Sequence, residues 1–96
     1  MQVAQQILKQ LGGKKFLAMT GAKNLMSTEN GLRMNLPKNQ SGATVLSIEL
    51  NSLDLYEMTF LKVRNYQPIE VKKTTGLYFD MLQPEFTKTT GFNTNL

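Results

Sequence analysis

Thr20-Gly21-Ala22-Lys23-Asn24 is the stretch of this chain that comes nearest to a binding loop. A glycine turn exposes backbone amides, and a lysine beside it supplies a cation, so the two together can hold an anion. A phosphate loop of the Walker kind demands more: GxxxxGK, then a hydroxyl residue, then a helix whose first amides cradle the phosphates. Here a lone glycine precedes Lys23 by two positions, and no long helix follows before Asn30-Gly31. The motif is absent. The stretch reads as a strand, Phe16 to Thr20, running into a turn whose basic character is its only functional hint.

Other cations gather around it and farther along. Lys14 and Lys15 stand beside Phe16, and Lys62, Arg64, Tyr66, Lys72 and Lys73 surround the turn Asn65–Pro68. Cations interleaved with exposed aromatics are how a protein surface tracks a nucleic-acid backbone and stacks bases. Lys23 and Arg33, the latter on the outer side of its strand, complete the candidate contacts. An outward sheet face carrying Arg33, Lys62 and Tyr66 would meet phosphates. No helix-turn-helix, RRM signature or KH loop accompanies them. Residues 1–40 hold Lys9, Lys14, Lys15, Lys23, Arg33 and Lys38 against the lone acid Glu29, so the basic half is the first one. The net charge of +4 biases partners toward polyanions, though mildly.

Catalytic groups are scarce. The chain has no histidine and no cysteine, which removes the commonest general base, the thiolate nucleophile, disulfides and soft metal ligands. Asp54, Glu57, Asp80 and Glu85 are sparse acids. Asp54 and Glu57 would face opposite sides of one strand, and Asp80 and Glu85, five apart, do not stack on a helix. Solvated surface carboxylates are the simpler account. A pocket around Asp54 and Tyr56 is where an enzyme would show itself. The expectation is no enzyme, no cofactor and no metal.

The elements that must position these residues follow from periodicity. The 96 residues, 41% hydrophobic, suit one small domain spanning 1–96. Val3, Ala4, Ile7, Leu8 and Leu11 recur at helical spacing, and Gly12-Gly13 ends that helix. Leu25 to Thr28 resumes as a short strand. Asn30-Gly31 signals a hairpin with a type I′ turn, since both residues tolerate positive φ. Leu32, Met34 and Leu36 alternate with Arg33 and Asn35, so the first set faces the core. In Ala43 to Leu50, Val45 and Ser47 oppose Leu46, Ile48 and Leu50. Leu53 to Arg64 is the longest strand candidate, with Tyr56, Met58 and Phe60 on one side. Ile69 to Lys72 reads as a final edge strand, where lysine discourages stray pairing.

A closing helix is predicted from about Gly76 to Thr90, capped by Thr74 or Thr75. Tyr78, Leu82 and Phe86 form its stripe, Phe79 and Met81 lie beside it, and Pro84 predicts a kink or early break. Gly91 would cap its end, with Phe92 folding back on Phe86 and the tail 92–96 frayed. The whole is an α+β domain: an N-terminal helix, an antiparallel meander of four to five strands and a C-terminal helix, both helices on one sheet face.

Gln10-Leu11-Gly12-Gly13, Met19 through Asn24, Asn51 through Tyr56, and the tail from Gly76-Leu77-Tyr78 to Thr90-Gly91 resemble a group of short uncharacterised proteins encoded by bacteriophages and other bacterial mobile elements. The resemblance spans nearly the whole chain and carries no activity with it. It implies a small accessory protein inside a bacterial cell, acting on nucleic acid or on another protein. The start MQVAQQILKQLGG lacks a basic n-region and a long apolar run, and no stretch nears the ~18 apolar residues that span a bilayer. The reading is therefore a cytoplasmic, non-enzymatic binding module that contacts nucleic-acid phosphates. Its alternative is an accessory factor that binds a host or phage protein, or its own copy through an uncovered face of Leu53–Val63.

Overall fold

The computed structural model describes residues 2–92. In chain order it forms α1 (Gln2–Leu11), α2 (Lys14–Thr20), β1 (Lys23–Thr28), β2 (Gly31–Asn35), β3 (Val45–Leu50), β4 (Tyr56–Arg64), β5 (Gln67–Leu77), a 3-10 turn (Phe79–Met81) and α3 (Leu82–Thr90). The sheet is an antiparallel meander in the order β1-β2-β3-β4-β5. Ala4, Ile7, Leu11, Phe16, Leu82 and Phe86 bury in one cluster with Leu32, Met34, Leu46, Ile48, Met58 and Phe60. The helices therefore cover one face of the sheet, and the other face is open. The small α+β class, the meander and the one-sided helix layer are as the sequence implied. Among the described residues no helix is long and apolar enough to cross a membrane.

The alternations predicted for β2, β3 and β4 set the register. Leu32 pairs with Ile48 and Ile48 with Met58, while Met34 pairs with Leu46 and Leu46 with Phe60. α1 lays its apolar stripe on this surface and stops where Gly12 and Gly13 take φ of 126 and 63. The amides of both glycines bond to the Leu8 carbonyl, at 3.2 and 2.9 Å.

Four expectations are corrected. Phe16 to Thr20 is helix α2, not strand. Its residues carry apolar groups at every position, which fits either period over so short a run. Packing decides: Phe16 and Thr20, four apart, both bury, and the Thr20 hydroxyl donates to the Phe16 carbonyl at 2.8 Å. Next, the β1–β2 hairpin turns on Glu29 and Asn30, with Thr28 paired to Gly31, and neither Asn30 nor Gly31 has positive φ. The turn with two positive φ values is Asn65-Tyr66, at 53 and 64. The Leu53–Arg64 strand starts only at Tyr56, because the Asn51 carboxamide oxygen accepts from the Leu53 and Leu55 amides at 2.9 and 3.2 Å and folds a turn.

The last correction is the largest. β5 runs to Leu77 and is longer than Ile69–Lys72, so Thr74 and Thr75 are strand residues and cap nothing. Met58 pairs with Thr74 and Tyr56 with Leu77, a register that absorbs an extra residue near Gly76 at φ 69. α3 starts at Leu82, which puts Pro84 in its first turn. There the missing amide leaves no bond unmade, so no kink is required. Gly91 is the left-handed cap, and Phe92 packs 6.4 Å from Phe86 as expected. Of the tail expected to fray, residues 93–96 lie outside the described residues.

Candidate functional site

The nine positions offered for nucleic acid do not form one surface. Register puts Met26, Arg33, Ser47, Thr59 and Lys73 in one row across the open face, and Lys23, Asn35, Val45, Leu61 and Glu70 in the next. Lys62 pairs with Ile69, on the opposite side from Arg33. The outward face of Arg33, Lys62 and Tyr66 is thus corrected: alternation along β4 turns Lys62 and Arg64 toward the helix side. Lys72 faces the helices too, while Lys73 faces outward. Lys14 and Lys15 sit exposed in the first turn of α2. On the open face, Lys23, Arg33 and Lys73 are matched by Glu49, Glu57 and Glu70, so that face is near neutral. Lys73 approaches Glu57 at 4.0 Å.

The opening turn is accounted for by its own backbone. Gly21 is the left-handed cap of α2, and its amide bonds to the Leu17 carbonyl. The Ala22 amide bonds to the Thr20 hydroxyl at 3.2 Å. Two of the amides that an anion would need are already engaged, and Lys23 opens β1.

Lys72 is engaged as well. Its ammonium lies 3.1 Å from the Glu85 carboxylate and donates to the Thr89 hydroxyl at 3.2 Å. The Thr74 hydroxyl donates to the same Glu85 oxygen at 3.0 Å. Glu85 is therefore a partnered group and not the freely solvated acid the sequence suggested. Burial pushes its carboxyl up, but the bonds from Lys72 and Thr74 and the charges of Lys72 and Lys88 outweigh this and leave it below the ordinary value. A carboxyl lowered on folding adds stability that is complete above its unfolded-state pKa and disappears as pH falls through the folded value. Glu85→Gln should lower stability at neutral pH by about 1 kcal/mol. It should also flatten the acid-side decline, which urea melts across the acid range would read. An unchanged acid limb would remove Glu85 from this account.

The structure does gather polar groups elsewhere. Gln6, Gln10, Leu50, Asp54, Tyr56, Tyr78 and Phe79 line a cleft of about 340 Å³ between α1 and the β3–β4 turn. Asp54 and Tyr56 meet here, where a pocket was expected if one existed. Asp54 is exposed at φ 61. Burial raises the Tyr56 phenol, which keeps it protonated and makes it a hydrogen-bond donor more readily than a base. Among the described residues no group of three or more acidic, histidine or cysteine side chains is placed to hold a metal. The cleft offers amides, phenols and one carboxylate.

Its rim is apolar. Leu53 is 75% exposed, Tyr78 62%, Phe79 58% and Met81 41%. The Tyr78 amide donates to the Met81 sulfur at 3.4 Å, which ties the rim together. The sequence puts Tyr78 on the stripe of a longer closing helix with Phe79 and Met81 beside it, and none of the three lies in α3. The missed signal was Pro84, which favours the first turn of a helix and so leaves Tyr78 to Met81 outside α3. A second, wholly different groove of about 200 Å³ lies between α1 and β1, lined by Ala4, Gln5, Leu8, Leu25, Ser27 and Leu32.

Tyr66 stands alone at the tip of the β4–β5 hairpin, 99% exposed. Its left-handed backbone at φ 64 is unfavourable for a side chain with a Cβ. Tyr66→Gly should therefore stabilise the fold by about 1 kcal/mol, a rise in Tm of about 4–8 °C. Differential scanning fluorimetry checks this, and a fall in Tm would mean that the ring packs on something that stabilises it.

With the fold and its clefts in view, the class is clear: a small α+β domain with a one-sided helix layer and an open sheet. No family model, no curated protein and no solved structure matches the chain.

Proposed function

We propose that this chain is a small non-enzymatic module of a phage-like element that binds a partner protein in a bacterial cell. The observation that carries this reading is the pair of exposed aromatics, Tyr78 and Phe79, that line the Gln6–Asp54–Tyr56 cleft, with exposed Leu53 next to Asp54 in the chain and exposed Met81 bonded to Tyr78. Aromatic and methionine side chains ringed around polar groups are the composition of a protein-recognition patch. The cations supply no comparable surface, because strand alternation divides them between two faces and Glu85 engages Lys72.

The test is capture from a nuclease-treated bacterial lysate with the wild-type chain and with Leu53→Asp and Phe79→Asp. Both positions are exposed, so circular dichroism should be unchanged. A protein retained by the wild type and lost with both variants is the expected result. The reading falls if no such protein appears. It also falls if labelled DNA or RNA binds with a steep salt dependence that survives both substitutions; phosphate contact by Lys14, Lys15 and their neighbours would then take its place.

A further inference from the structure

We infer that β1 and the groove beside α1 accept an extended segment of a partner protein as an added strand. One apolar side chain of the segment enters the groove, and a carboxylate at an alternate position meets Arg33 and Lys23. This surface is separate from the Tyr78–Phe79 cleft and does not depend on it.

β1 ends the strand order, so its side away from β2 carries no strand. An edge of this kind recognises an extended peptide through main-chain hydrogen bonds, and neighbouring pockets select its side chains. The opposite edge, β5, is guarded against pairing. It carries Pro68, the adjacent lysines 72 and 73, and irregular register at two places along β4. β1 has no proline, and its one irregularity lies between Lys23 and Met26, where Asn24 takes φ 56. From Leu25 to Thr28 the strand is regular.

The side chains beside this edge sort by face. Leu25 and Ser27 look toward α1 and line the groove with Ala4, Leu8 and Leu32, so a strand added here holds every second side chain over an apolar floor. Met26 shares the open face with Arg33, and Lys23 lies across from Asn35, two residues on from Arg33. Neither Arg33 nor Lys23 has an ion pair among the described residues. Of the acids of the open face, Glu57 and Glu70 belong to β4 and β5, and Glu49 lies on β3 opposite Gly31, at the end of β2 away from Lys23. The end of this corner at Lys23, where Lys23, Asn35 and Val45 share a row, therefore presents positive charge with no acid beside it. Glu29, in the turn at the other end of β1, disfavours a carboxylate there and places it at the Lys23 end.

The test uses isotope-labelled protein and end-blocked peptides matching β1 in length, 6 residues. One peptide alternates leucine with glutamate, a second replaces glutamate by lysine, and a third is the first with alternate backbone nitrogens methylated. The expected result is amide shifts at Leu25–Thr28, Gln5 and Leu8 with the glutamate peptide, binding of the lysine peptide at least about tenfold weaker, and none of the methylated one. Arg33→Glu, an exposed change that leaves the melting curve in place, should reverse the preference between the first two. The inference is overturned if shifts miss β1, if the charged peptides bind alike, or if Arg33→Glu leaves the preference unchanged. Phe79-dependent capture from lysate together with silent peptides would sink this inference alone, and the converse pattern would sink only the cleft reading.

Discussion

Phe86→Ala is expected to remove about 3–5 kcal/mol of stability, the loss usual for a large aromatic truncated in a packed core. Such a small domain holds only about 5–15 kcal/mol in all, so the variant should be marginally folded at best. Phe86 is fully buried, and its ring is where the layers meet. It stacks edge-on to Phe16 of α2 with centroids 5.0 Å apart. It lies 6.4 Å from Phe60 of β4 and 6.4 Å from Phe92 beyond α3. Deleting it opens a cavity bounded by three elements that cannot all collapse inward together. Urea denaturation followed by circular dichroism measures the loss. A change under about 1 kcal/mol would mean that α2 and α3 do not depend on this cluster.

The second large effect is Gly31→Ala, which should destabilise by about 3 kcal/mol, the upper end for forced overpacking. A Cβ built on Gly31 would stand 2.0 Å from the Ile48 carbonyl oxygen and 2.9 Å from the Glu49 Cα. Both are backbone atoms of the neighbouring strand, so no side chain can swing away, and β2 and β3 must part. Gly42→Ala is the control. Its Cβ would meet nothing within 4 Å, and only its φ of +78 opposes it, at about 1–2 kcal/mol. Chemical melts of the two variants separate steric exclusion from backbone strain. Equal losses would show that strain alone explains Gly31.

Gly31 also shows how far the residues could be read unaided. Asn30-Gly31 marked a hairpin correctly, but the glycine is there for the closeness of β3 and not for a left-handed φ. The left-handed turn went to Asn65-Tyr66, where a tyrosine hid it. Local rules name the residues that tolerate a conformation; they do not say which neighbour will crowd them. Among the candidate site residues, Arg33 was placed outward from its alternation with Leu32 and Met34, and it is outward. Lys62 is not outward with it: Lys62 lies two residues on from Phe60, so the alternation of β4 itself puts it on the core side. Tyr78 reads as part of the closing helix's stripe, with Phe79 and Met81 beside it, and all three are exposed ahead of α3.

What the sequence by itself determined is the set of periodic faces: the stripe of α1, the buried rows of β2, β3 and β4, and the glycine stops at Gly12-Gly13 and Gly91. Each follows from a repeat of apolar residues or from a residue that no other can replace locally. The tertiary structure decided that Phe16 to Thr20 is helical, because Phe16 is buried in a core assembled from distant elements, including Phe86, seventy residues on. It also decided that β5 extends to Leu77, since pairing with β4 supplies the hydrogen bonds that a helix there would otherwise provide. The cleft, the groove and the free edge of β1 exist only where those distant elements meet, and burial and register are properties of the assembled chain.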